Sequence, residues 1–145
     1  SSRGFSTYVL SEHATDAEAA ALAAKENKSD IIAGVDLGQY PAEVANILID
    51  FAQAKTNENS QGFAREFLLP EVGEVTQLLP RPLRGAGFAV LKLPDVPSIL
   101  VELGYVSHAV EEKTLLREDH RRKIAQAIAR SVDKYFTENR QAPRP

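Results

Sequence analysis

The stretch Pro97-Ser98-Ile99-Leu100-Val101-Glu102-Leu103-Gly104 constrains this chain more than any other. Its middle, Ile99-Leu100-Val101, has no polar alternation, which predicts a strand covered on both faces at the centre of an α/β sheet. A lone carboxylate in apolar surroundings costs several kcal/mol unless it is paired, protonated or beside a metal, so Glu102 at the end of this run needs a reason. Gly104 permits a sharp backbone exit, which puts Glu102 where the strand opens into a loop. Ligands collect at that edge of open α/β sheets. A glutamate held there by backbone donors or an arginine is the structural alternative, and position alone does not choose between the two.

The rest of the chain supplies the elements for such a sheet. Residues 5–10, Phe-Ser-Thr-Tyr-Val-Leu, mix β-branched and aromatic side chains and predict a short strand. Thr15 and Glu18 have the spacing of a capping box, so a helix is predicted over 16–27. Its apolar stripe is Ala19, Leu22 and Ala23, and the next position on that stripe is Glu26. Val44, Ile47, Leu48 and Phe51 fall at i, i+3, i+4 and i+7 and predict an amphipathic helix over 42–54. Asn57 to Ser60 offer caps for a third helix carrying Phe63 and Phe67, which Pro70 should interrupt before helix resumes over 71–79. Pro80-Arg81-Pro82 reads as an extended linker and residues 88–91 as a strand paired with the one at Leu100. A short helix over 110–116 follows, then a long one from Asp119 with Ile124, Ala127, Ile128, Val132 and Tyr135 on one face.

The chain has 145 residues, enough for a single domain over 1–145 with a real core. Its net charge of −3 offers no electrostatic case for nucleic acid or a membrane surface. The absence of Cys removes any disulfide framework, thiolate nucleophile or zinc–thiolate site. No apolar run approaches the roughly 20 residues of a transmembrane segment. Ser1-Ser2-Arg3-Gly4 carries no initiator Met and no leader, so a processed product or an excerpt of a longer polypeptide is expected. The histidines are His13, His108 and His120, none paired at a metal-ligand spacing. Arg84 is a candidate for substrate carboxylates, and His108 for lining a cleft near Glu102.

Arg3-Gly4 before a strand ending Tyr8-Val9-Leu10-Ser11, Lys25-Glu26-Asn27, Gly87-Phe88-Ala89-Val90-Leu91-Lys92 and the block from Asp95 to Ser107 together resemble one family. It is that of the zinc-dependent N-acetylmuramoyl-L-alanine amidases of bacterial cell-wall turnover and cell division, and the resemblance runs from Arg3 to Phe136. It implies a mixed, mostly parallel α/β sheet flanked by helices, similar to zinc carboxypeptidases, with an inserted helical regulatory segment matching 15–56. It further implies that zinc is held by a His, a Glu and a second His N-terminal to Arg3-Gly4, so the chain would be the C-terminal part of the catalytic domain, without the primary ligands.

By the same resemblance Glu102 is the catalytic glutamate, acting as general base on the zinc-bound water and then as proton donor to the leaving amine. The insert would lay a glutamate over the zinc until a LytM-domain activator protein withdraws it. Glu26 is the candidate for that inhibitory contact and Glu18 the alternative. Peptidoglycan is the implied substrate and the periplasm, after export, the implied location. The sequence departs from the family at His108, where Asn is usual, and at Pro70, which falls in a commonly continuous helix. A non-catalytic cell-wall binding or regulatory module of the same fold, and a related zinc carboxypeptidase, stand as the other readings.

Overall fold

Strand β1 forms over Phe5–Leu10 as the sequence predicts, and it is the centre of a three-stranded sheet of order β2-β1-β3, with β2 at Leu78–Ala86 and β3 at Leu100–Glu102. The computed structural model describes residues 3–32, 44–93 and 95–141. Phe5 to Val9 are all buried, whereas the three residues of β3 are half-buried. The apolar run around Leu100 is therefore an edge among the described strands and not the covered centre. The Phe5 N–H donates to the Gln77 carbonyl (2.8 Å) and the Ser11 N–H to the Ala86 carbonyl (3.0 Å), so β1 and β2 run in the same direction. Gly4 makes the entry to β1 possible. Its φ is +131°, and a Cβ there would lie 2.8 Å from the carbonyl carbon of Leu78.

Contacts divide the chain into two compact units, Ser1–Thr7, Gly62–Pro82 and Val101–Pro145 in the first, and Tyr8–Gln61 and Leu83–Leu100 in the second. In the first unit α5 (Glu118–Gln141) packs on a π-helical turn at Phe63–Leu68 and on α3 (Leu69–Gly73). Its core holds Phe5, Leu68, Val72, Ile124 and Ala127. Tyr135 meets Phe63 and Phe67 edge-on at 5.4 and 5.5 Å between ring centroids. Helix α5 buries Ser131, while Val132, which the sequence places on the core face, is 37% exposed. Helix α4 occupies Ala109–Leu116.

In the second unit α1 (Ala17–Ile32) packs its Ala19 and Ala23 against Tyr8, Ala86, Phe88 and Leu91. Tyr8 and Phe88 meet edge to face at 5.4 Å. Burying a large apolar side chain of this kind contributes about 1.5–3 kcal/mol, so these two rings dominate the cluster. Helix α1 continues past Asn27, where the sequence would end it. Residues 33–39 of the predicted loop, the first residues of the predicted helix over 42–54, the side chains of Val44, Ile47, Leu48 and Phe51, and Pro94 lie outside the described residues.

Four sequence expectations are corrected, each for a local reason. The helix at α2 (Val44–Gly62) does not restart at Asn57 to Ser60. The Ser60 hydroxyl donates to the Thr56 carbonyl one turn back (2.9 Å), an in-helix bond that replaces capping. Pro70 does not break the helical path either. It sits in the first turn of α3 directly after the π-helical turn, where the chain needs no N–H from it. Residues 78–79 are strand, not helix, and Pro80 and Pro82 are carried inside β2, which is an edge strand among the described residues. Residues 89–91 form a single 3-10 turn instead of a strand beside Leu100. There the Asn27 side-chain amide donates to the Gly87 carbonyl and its oxygen accepts the Ala89 N–H, both at 2.8 Å, which removes those backbone groups from any ladder.

Candidate functional site

Glu102 is the last residue of β3 and is half-buried, at the point where the strand gives way to a loop, as the sequence predicts. Its Oε2 accepts a hydrogen bond from the Ser6 hydroxyl at 3.2 Å. Ser6 is fully buried on the central strand, so the group that orients the carboxylate is itself fixed by the sheet. The loop beyond is set by Gly104, whose φ of +154° disfavours any other residue. A Cβ at Gly104 would also lie 3.4 Å from Oε1 of Glu111. The other oxygen of Glu111 accepts the Tyr105 N–H at 2.8 Å. A carboxylate from the first turn of α4 therefore ties down the backbone three residues after Glu102. Sequence reasoning missed Glu111; the glycine two residues past a functional strand end, followed by an acidic first helical turn, was the available signal.

His108 immediately precedes α4 and is half-buried. Its backbone N–H donates to Tyr105 (3.0 Å), and its Nδ1 is buried without a hydrogen-bond partner among the described residues. His13 is exposed in the loop after β1, and His120 is half-buried near the start of α5. Among the described residues no three His, Cys, Asp or Glu side chains come together as a metal requires. These described residues therefore do not fit a zinc ion by themselves.

The second unit contains the residues expected to regulate. Glu26 is half-buried on α1, one turn beyond the buried Ala23, which is where the apolar stripe places it. The capping box does not form. Asp16 caps the helix, its Oδ1 accepting the Ala19 N–H at 2.9 Å, and the Thr15 hydroxyl accepts the Gly85 N–H at 3.2 Å. Glu18 instead takes the Arg84 guanidinium at 2.7 Å. Arg84 is 5% exposed, contacts the Tyr8 hydroxyl and lies 3.6 Å from Asp16. A guanidinium enclosed in this way cannot receive a substrate carboxylate, which corrects the expectation for Arg84. The structure places Glu102 and Glu26 in different compact units.

The profile of one protein family, described as N-acetylmuramoyl-L-alanine amidase, matches residues 1–134. The chain is 37% identical over 137 residues to the N-acetylmuramoyl-L-alanine amidase AmiC of Neisseria meningitidis serogroup B, covering 94% of this chain and 32% of that protein. It is 35% identical over 138 residues to AmiC of Escherichia coli O6:H1, covering 93% of this chain and 32% of that protein. With AmiA of Escherichia coli K12 it shares 36% identity over 134 residues, covering 92% of this chain and 46% of that protein. The chain thus spans from about a third to about half the length of these relatives.

Proposed function

Because the chain belongs to the N-acetylmuramoyl-L-alanine amidase family, we propose that it contributes the proton-transferring carboxylate of a peptidoglycan amidase, and that this group is Glu102. The observation that carries the reading is a carboxylate at the open end of β3, half-exposed and oriented by a fully buried serine. In the reaction Glu102 takes a proton from the attacking water as its oxygen bonds to the carbonyl carbon of the amide. It returns that proton to the nitrogen as the C–N bond breaks, leaving a carboxylic acid on the muramic acid side and the amine of L-alanine on the other, and the acid then gives its proton to the amine or to solvent. Ser6 holds the carboxylate still through both transfers, and Glu111 fixes the loop that follows it. Zinc, which the family resemblance implies, supplies Lewis-acid chemistry when bound; its ligands would be residues other than those described here.

Glu102→Gln keeps the shape and the Ser6 hydrogen bond and deletes the base. In the intact catalytic domain, turnover of labelled peptidoglycan should fall by about 10²–10⁴-fold with the thermal midpoint unchanged. Retention of more than about a tenth of the activity rules out a positioned base at this residue.

Regulation is assigned to residues 15–56, with Glu26 as the inhibitory carboxylate, release by a LytM-domain activator, and the periplasm as the place of action in cell division. The support is the position of Glu26 on the half-buried stripe of α1 and the engagement of the alternative, Glu18, by Arg84. No helix among the described residues is long and apolar enough to cross a membrane. Glu26→Ala should raise activator-free turnover; unchanged basal turnover in a stably folded variant removes Glu26 from this role.

A further inference from the structure

A cavity of about 310 Å³ opens in the unit that bears Glu102, lined by Arg3, Gln77, Leu103, residues of α4 and His120. Its volume is at the lower end of the roughly 300–1,000 Å³ of small-molecule sites. Leu103 lines it and Glu102 does not, so it is distinct from the candidate catalytic position. Both signs of charge face into it. Arg3 forms no ion pair among the described residues. Glu111 is held rigidly, one oxygen on the Tyr105 N–H at 2.8 Å and the other packed over Gly104. Leu103 and Val110, 42% and 55% exposed, line the same cavity and give it apolar surface.

We propose that this cavity binds a short peptide with a free amino terminus, its ammonium at Glu111, its carboxylate at Arg3 and a small first side chain on Leu103 and Val110. The ligand's identity rests on the amidase reading. Cleavage turns the nitrogen of L-alanine from an uncharged amide into a primary amine, which is protonated near neutral pH because α-amino groups titrate at about 7.7–8.0. Only the released peptide carries an ammonium on its first residue, so a site that seats that ammonium on Glu111 and a carboxylate of the same peptide on Arg3 selects product over substrate. The cavity is thus a product-retention site beside the catalytic loop, reached through Glu111.

Titration calorimetry of the full chain with L-alanyl-glutamate and with its N-acetylated form tests this without turnover. The free dipeptide should bind, and acetylation should weaken it by about tenfold or more, the loss expected for one charge-assisted hydrogen bond. Arg3→Ala and Glu111→Gln should each cost about the same factor, the latter keeping an oxygen for the Tyr105 N–H so that the fold is preserved. No binding up to about 10 mM in a chain with a cooperative melt, equal binding of the acetylated peptide, or equal binding of free glutamate overturns the proposal. Since the readout is binding, an active Glu102→Gln enzyme would sink the catalytic reading and leave this measurement standing, and the reverse holds too.

Discussion

Arg84 on β2 and Glu102 on β3 are both charged groups at the sheet, and the protein treats them in opposite ways. Arg84 is 5% exposed and enclosed by Glu18 at 2.7 Å, Asp16 at 3.6 Å and the Tyr8 hydroxyl, with its guanidinium carbon 4.8 Å from the Tyr8 ring centroid. Glu102 is half-exposed, and a buried hydroxyl on the neighbouring strand donates to it. A buried cation with this many partners serves stability, because removing it strands its neighbours; an accessible carboxylate held by a fixed donor is free to exchange protons. The two should therefore fail differently when mutated.

The largest stability effect should come from Arg84→Ala. Arg84 is buried but its partner Glu18 is 55% exposed, so losing their charge-assisted hydrogen bond should cost about 1.5–3 kcal/mol, and the Tyr8 hydroxyl and the start of α1 each lose a contact as well. Arg84→Lys should recover little, since a single ammonium cannot meet Glu18 and Tyr8 in the same planar geometry. Chemical denaturation reads both. A wild-type unfolding midpoint for Arg84→Ala would show that the node is dispensable, and the contrast with Glu102→Gln, which should lose turnover but not stability, would collapse.

Glu111 lies between these extremes, a structural contact in the service of the catalytic loop. Glu111→Ala leaves the Tyr105 N–H without its acceptor, and one such hydrogen bond contributes about 0.5–1.5 kcal/mol, so kcat should fall by up to about tenfold. Glu111→Gln, which keeps an acceptor oxygen, should restore most of it, while amide hydrogen exchange at Tyr105 should speed up in the alanine variant alone. Equal kcat in all three proteins would mean that the loop holds its shape without this glutamate.

What could be read from the chain alone follows from how local each signal is. Residues 5–10 declare a strand through their own β-branched and aromatic side chains, and Ile124 and Ala127 declare the buried face of α5 through spacing. Glu102 is legible as a strand-end carboxylate because Gly104 follows it. Ser6 as its partner is not, being 96 positions away in sequence. Strand β2 was hidden by Pro80 and Pro82, whose tolerance depends on an edge position that only the assembled sheet defines. The 3-10 turn at Ala89–Leu91 was hidden because Asn27, far upstream, captures its backbone. Arg84 looked like a substrate ligand because nothing in its sequence neighbourhood announces Glu18 and Tyr8.

The smallest effect concerns a second ion cluster, which tests whether enclosure rather than charge is what matters at Arg84. Glu71 on α3 meets Arg130 at 3.0 Å and Lys134, both on α5 and both exposed to solvent. The hydrogen bond from Lys134, then that from Arg130, holds the Glu71 carboxyl below the ordinary glutamate range. A carboxyl whose folded value is depressed contributes stability above its unfolded value of about 4.3, and that contribution is lost as pH falls through the lower folded value. The difference in thermal midpoint between wild type and Glu71→Gln should therefore be constant above a pH of about 5 and shrink below about 4. Because the two cations are solvated, about 1 M salt should also shrink it, while the deficit of Arg84→Ala should survive that salt largely intact. If salt reduced both deficits alike, the buried guanidinium would be behaving as a surface charge, and its assignment as the structural counterpart of Glu102 would fail.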